Sequence, residues 1–210
     1  MAGRPREFDR AEALAKARDA FWSRGYEGVS MSDLVSALGL ASARIYAAFG
    51  SKEHLFREAI ALYEASEGGF ASIALDADTD VRTAMASMLR DAAALYTRPD
   101  KPRGCMVVAA ATNCSLENED VLKWLASHRR SRTQSIIKRL RRAAAQGELK
   151  HGTDTEILGD HIAAVLHGLS VQARDGVSRK RLLALIEPAL AALHAAYVPR
   201  QPVAMAPGNA

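Results

Sequence analysis

Arg44, Tyr46 and Lys52 stand close together in the stretch "LGLASARIYAAFGSKEHLF", Leu38 to Phe56, among alanines and serines. A guanidinium can bond a guanine edge through two N–H groups, and a phenol or an ammonium can hold a phosphate oxygen. These residue types suit contact with duplex DNA if a helix presents them on a face slim enough for a major groove about 12 Å wide. Ser42, Ala43 and Ala47 supply small groups beside them, and Ser30 stands at the start of the preceding segment. A second concentration of chemistry lies at Cys105, which follows Lys101 and Arg103 and would open a helix. Nearby cations and a helix N-terminus favour the thiolate, so Cys105 is either the reactive thiol of a redox or electrophile sensor or a small buried hydrophobe. Cys105 and Cys114 are nine residues apart. On a helix they face opposite ways, about 13 Å apart along the axis, too far for a disulfide.

Other chemistries find little support. His54, His128, His151, His161, His167 and His194 are scattered, and no pair has the HExxH arrangement or a companion cysteine spacing for metal. No phosphate-cradling Gly-rich loop and no Gly-x-Ser-x-Gly elbow occurs. The expectation is a protein that is not an enzyme and carries no metal or cofactor. His161 and His167, six apart, point to opposite sides of a helix, so at most one faces a cavity. Hydrophobic residues make up 49% of the 210 and charged residues 25%, with no apolar run near the roughly 20 residues of a membrane span. The opening "MAGRPREFDR" has no apolar run behind its charges. A cytoplasmic protein without a membrane partner is expected. The net charge of +4 is compatible with a polyanion and decides little.

The elements that must position these residues read as helices almost throughout, because apolar residues recur at spacings of three and four. Phe8 to Arg24 is a first helix with Asp9 available as cap, ended by Gly25. In "EGVSMSDLVSALG", Ser30 or Ser32 caps a second helix that buries Leu34, Val35 and Leu38 and ends at Gly39. "SARIYAAF" follows after a short turn, with Ile45 and Phe49 inward. Two short helices joined by a glycine turn have helix-turn-helix spacing.

With these residues the stretch Val29 to Phe56 resembles the DNA-binding domain of TetR-family transcriptional regulators. The match runs through Gly39, Leu40, Ile45, Tyr46, Phe49, Ser51, Lys52, Glu53, Leu55 and Phe56. The resemblance implies an all-α fold, an N-terminal helix-turn-helix domain followed by a larger helical domain for ligand binding and dimerisation, and repression of transcription. It implies that Tyr46, Lys52 and Ser30 hold phosphates of an operator, while Arg44 is the candidate base reader. Lys52 also lies where a helix N-terminus favours an anion. Ala41 stands where the family often has Ser, Thr or Asn, so Ser42 is expected to cap the recognition helix and shift its start.

The expected units are 1–50 for DNA binding, 51–69 as a connecting helix broken by Gly68 and Gly69, 70–197 as the body, and 198–210 as a disordered tail. Ala74 to Asp80 reads as an acidic loop, Val81 to Tyr96 as helix, Asn118 to Gln146 as a long helix, and Asp154 to Asp175 and Ser178 to Tyr197 as the last two. Met85, Met88, Leu89, Cys105, Met106, Trp124, His128 and His161 are candidates for the pocket of a small-molecule effector, apolar or electrophilic. They could equally be core. The last two helices are apolar over a wide arc, so Val165, Leu169, Leu190 and Leu193 are candidates for a homodimer interface. An alternative of another class is an RNA-binding or acidic-partner surface on the basic run His128 to Arg142. The apolar face kept through that run favours a solvated helix side instead.

Overall fold

The computed structural model describes residues 8–112 and 115–199, apart from the side chains of residues 111, 112 and 116. Cys114 and the tail from residue 200 onward lie outside the described residues. Helix α1 (Arg10–Arg24) starts two residues later than expected, because the Asp9 carboxylate accepts from the N–H groups of Ala11 and Glu12. Helix α2 (Met31–Leu38) opens on a capping box: the Ser30 hydroxyl accepts from the Asp33 N–H, and Asp33 accepts in return from the Ser30 N–H. Gly39, at φ 67°, takes the left-handed conformation that closes it. Helix α3 (Ser42–Phe49) buries Ile45 and Phe49. Ala41 occupies its N-cap position without any side-chain bond, and Ser42 is the first helical residue. Ser42 therefore does not act as the cap. Helix α4 (Lys52–Ala65) is capped by Ser51, whose hydroxyl accepts from the His54 N–H.

The chain does not become a loop at the two glycines. A 3-10 turn (Glu67–Gly69) leads directly into α5 (Phe70–Asp76), which buries Ala71, Ala74 and Leu75 and sets Phe70 edge-on to Tyr96. The acidic loop is thus only 77–80. Helix α6 (Val81–Tyr96) is capped by Asp80, then come α7 (Met106–Thr112), a 3-10 turn (Leu116–Asn118), α8 (Glu119–Ala145) and α9 (Thr155–Arg174), capped by Asp154. The expected last helix is three pieces, α10 (Arg179–Ala184), α11 (Ile186–Ala189) and α12 (Ala191–Ala196). Pro188 has no N–H for the Ala184 carbonyl, and the Leu185 N–H reaches back only three residues, to Leu182. Val198 is tied by its N–H to the Glu148 carbonyl at 2.8 Å, so the described chain remains attached one residue past α12's flank, into the segment read as tail.

One apolar core runs from Ala13 to Leu193 without a break. Leu169, Leu190 and Leu193 are buried in it within a single chain, which removes them from any surface a partner could meet; Val165 alone of the four is half-buried. Helix α9 needs its wide apolar arc because α6, α7, α8 and α10 all pack on it. Three arginines of the basic run are spent on the fold, while Arg130, Lys138 and Arg141 stay exposed. Arg132 donates to Ser72 Oγ and the Gly68 carbonyl, Arg139 to the Thr79 carbonyl, and Arg142 to the Leu75 carbonyl. These three guanidiniums satisfy carbonyls at the two ends of α5 and in the loop after it.

Candidate DNA-binding face and internal cavity

On α3 the inward pair Ile45 and Phe49 leaves Ser42, Ala43, Tyr46 and Ala47 exposed, with Tyr46 47% accessible. Arg44 is half-buried, its guanidinium 5.1 Å from the Phe8 ring centre. Arg10 packs over Phe49 at 4.5 Å and pairs with Glu58 at 2.7 Å, bracing α1 against α3 and α4. The Lys52 ammonium lies 4.4 Å over the Tyr26 ring, which fixes the direction of the lysine at the start of α4. The structure thus brings Ser42, Ala43, Tyr46, Ala47 and Lys52 to the surface of one helix-turn-helix unit and keeps Arg44 at its edge. Ser30 is exposed but its hydroxyl serves the capping box and donates to Asp33 at 2.6 Å. Those bonds from Ser30, then the one from Arg24, hold the Asp33 carboxyl well below the usual carboxylate range.

The head is fastened to the body at several points. Trp22 Nε1 donates to the Gly104 carbonyl at 2.9 Å, and Arg174 reaches the carbonyls of Trp22 and Ser23. Glu27 accepts from the Ser115 N–H and from Asn118 Nδ2, which keeps its carboxyl below its ordinary value. Arg18 pairs with Glu67 at 3.1 Å, and Lys101 with Asp19 at 3.3 Å.

Behind these fastenings lies a cavity between α4, α6, α7, α8 and α9. Its walls include Tyr63 and Glu64 at the end of α4, Tyr96, Cys105, His128, Arg129 and His167. The cavity is small, with room for roughly two waters. His128 Nδ1 meets both Glu64 oxygens at 3.0 Å, joining α8 to α4. Burial, and then the nearby Cys105 thiol, push the Tyr63 and Tyr96 hydroxyls well above the ordinary phenol range. Burial, and then Arg129, push His167 below the ordinary imidazole value, so it stands as the neutral ring.

Of the residues expected in the pocket, Cys105 and His128 line it. Met85, Met88, Leu89 and Met106 are instead sealed in the core. Trp124 stands outside the cavity, edge-on to Phe56 and His128. His161 is exposed and bonds the Ala189 carbonyl at 3.0 Å, and it is His167 that faces the cavity. Sequence reasoning missed Tyr63, Tyr96, Arg129 and His167. Arg129 sat within the basic run, and the signal for it was its place one residue from His128, on the flank of the apolar face.

A helix-turn-helix head fastened to a helical body is the architecture of a DNA-binding regulator, and here the body also holds a cavity. Residues 13–59 match the profile described as bacterial regulatory proteins, tetR family, and residues 82–182 one described as a tetracyclin repressor-like C-terminal domain. The chain belongs to the TetR family of DNA-binding transcriptional regulators. It is 31% identical to the HTH-type transcriptional repressor ComR of Escherichia coli K12, over 86% of this chain and 87% of that protein. It is 28% identical to the repressor BdcR of the same organism, over 88% of each. Among solved structures, a triple cysteine mutant of the TetR family regulator CifR in complex with a 26-bp double-strand operator shares 46% identity and a TM-score of 0.85, covering 90% of this chain and 98% of that one.

Proposed function

We propose that the protein is a homodimeric repressor that holds a roughly palindromic operator through α3 and leaves it when a small molecule fills the cavity. One observation carries this reading: α4 begins with Lys52 at the DNA face and ends with Tyr63 and Glu64 in the cavity wall. Whatever enters the cavity meets the end of the helix that carries the phosphate lysine. Little energy is needed, since an effector favouring the released state by about 1.4 kcal/mol weakens operator binding tenfold. Residues 1–50 would read DNA, 51–69 transmit, and 70–197 hold effector and partner. Tyr46 and Lys52 bond phosphates and Arg44 a base edge. The names of ComR and BdcR support repression, and the CifR complex supports operator binding. The protein would work in the cytoplasm, where that DNA is.

Dimerisation uses the outward face of α9, where Ile157, His161, Ala164 and Val171 recur at spacings of four, three and seven, beside Ala192 and Ala195 of α12. Ile157 is 69% exposed in the single chain, and two heads on one two-fold axis read half-sites about one helical turn apart. The test is selection of bound fragments from random duplex DNA. An enriched palindrome supports the reading; enrichment of no sequence overturns it.

A second reading has its own observation. Cys105 lies in the cavity between two buried phenols and close to Arg129, a setting in which an electrophile could alkylate the thiol. If Cys105→Ser answers every electrophile tested as wild type does, this reading is lost.

A further inference from the structure

Arg129 brings a positive charge into the cavity without a partner for all of it. Its Nη1 is buried and bonds no acceptor among the described residues. The other charged groups of the cavity have hydrogen-bond partners: Glu64 meets His128 Nδ1, and Arg132 donates to Ser72 Oγ and the Gly68 carbonyl, both neutral acceptors. Burial and the neighbouring Arg130 both work against the Arg129 charge. Tyr63, 1% exposed, lines the same cavity, and its hydroxyl likewise makes no well-formed hydrogen bond. The Tyr63 oxygen has only the Met106 N–H and the Cys105 thiol beside it, and a buried guanidinium N–H with no acceptor is costly, so an acceptor is due in the space the two side chains share. Water could fill it, but water leaves the charge uncompensated.

We propose that this cavity is a binding site for a compact monovalent anion of the size of nitrate or formate, held by Arg129 Nη1 and the Tyr63 hydroxyl. The inference rests on the effector reading of the cavity and narrows it from an apolar ligand to an anionic one. Size follows from the space, which admits roughly two waters and no drug-sized molecule. Charge follows from the balance of the wall, where two guanidiniums, Arg129 and Arg132, face one carboxylate, Glu64. The donor pair explains why both groups can remain buried, because one anion accepts from each. Occupancy would also bear on α4 directly, since Tyr63 is a residue of that helix.

The test uses the full chain at constant ionic strength, with sodium nitrate or sodium formate replacing sodium sulfate, and reads the thermal midpoint of wild type, Arg129→Gln and Tyr63→Phe. The expected result is a wild-type midpoint that, set against Arg129→Gln to cancel the general effect of exchanging sulfate, gains with nitrate and with formate and gains less in Tyr63→Phe, both variants keeping wild-type far-UV circular dichroism. Crystals grown in sodium bromide should show anomalous density within hydrogen-bond reach of Arg129 Nη1. An equal response in Arg129→Gln, or water alone at that position, overturns the inference. Operator titrations under the same conditions separate the two claims. An anion that binds through Arg129 while leaving operator affinity unchanged keeps this site and sinks its effector role; an organic effector that releases the operator with no anion bound does the reverse.

Discussion

The indole N–H of Trp22 donates to the buried carbonyl of Gly104 at 2.9 Å, so the end of α1 hangs on the peptide just before Cys105. That peptide is held from the far side as well, because the Cys105 N–H donates to Ser170 Oγ at 2.8 Å. Head, cavity loop and α9 thus meet within three residues. Trp22→Phe keeps an aromatic ring but leaves the Gly104 carbonyl unmet, a loss of about 1–3 kcal/mol before any void is counted. The urea midpoint should fall accordingly. An unchanged midpoint would mean that the bond does not hold the head.

Contacts with DNA should separate by kind. Lys52→Ala is expected to weaken every duplex about equally and to lower the slope of log affinity against log salt by about 1. Arg44→Ala should cost about 1–3 kcal/mol at one base pair and little elsewhere. Titrating the selected operator and single-position mismatches at two salt concentrations checks both. Arg44 losing affinity evenly across sequences would make it another phosphate residue.

The local signals were legible. Asp9 and Ser30 cap helices where the pattern places them, because a cap needs only its own next three residues, whereas Asp80, read as loop, and Asp154, read as helix, are caps as well. What depends on distant packing was not. Helix α5 follows a Gly-Gly pair that reads as a break, and it is held by α6 and by arginines more than 60 residues away. Leu169, Leu190 and Leu193 looked like a second face for a partner, but α9 meets four helices of its own chain. The cavity joins Tyr63, Arg129 and His167 from three helices, and nothing in any one of them announces the others.

Close approach of α8 and α9 rests on Gly159, where an added Cβ would sit 2.4 Å from Ile137 Cγ1 and 3.3 Å from its Cα. In an open helix Gly→Ala gains roughly 1 kcal/mol. Gly159→Ala should instead destabilise by about 1–3 kcal/mol, since the backbone of α8 cannot yield a few tenths of an ångström cheaply. A raised urea midpoint would show that the two helices slide apart without cost.

Acid should find the cavity through His167. Its pKa in the folded state lies below the unfolded value near 6.5, so between the two the unfolded chain binds more protons. The stability it contributes is complete above about pH 6.5 and is lost as pH falls toward the folded value. His167→Gln removes this dependence. Urea midpoints of wild type and variant, measured from pH 8 down to 5, should diverge most at the alkaline end relative to the acid end. Parallel curves would place the neutral imidazole outside the cavity's balance.

The proposed dimer turns on a residue that has no work within one chain. Ile157 is 69% exposed and Val171 43%, both on the outward side of α9, where two small residues, Ala164 and Ala192, leave room for a second helix to come close. Putting a charge there costs little in a monomer, because the side chain stays in water. In a dimer the same charge would be buried without a partner, at several kcal/mol. Ile157→Glu should therefore sediment as a monomer with a wild-type circular dichroism spectrum, and should lose operator affinity because the two half-sites are then bound independently. If the variant remains a dimer, the partner meets another face, and the apolar stripe on α9 needs a different explanation.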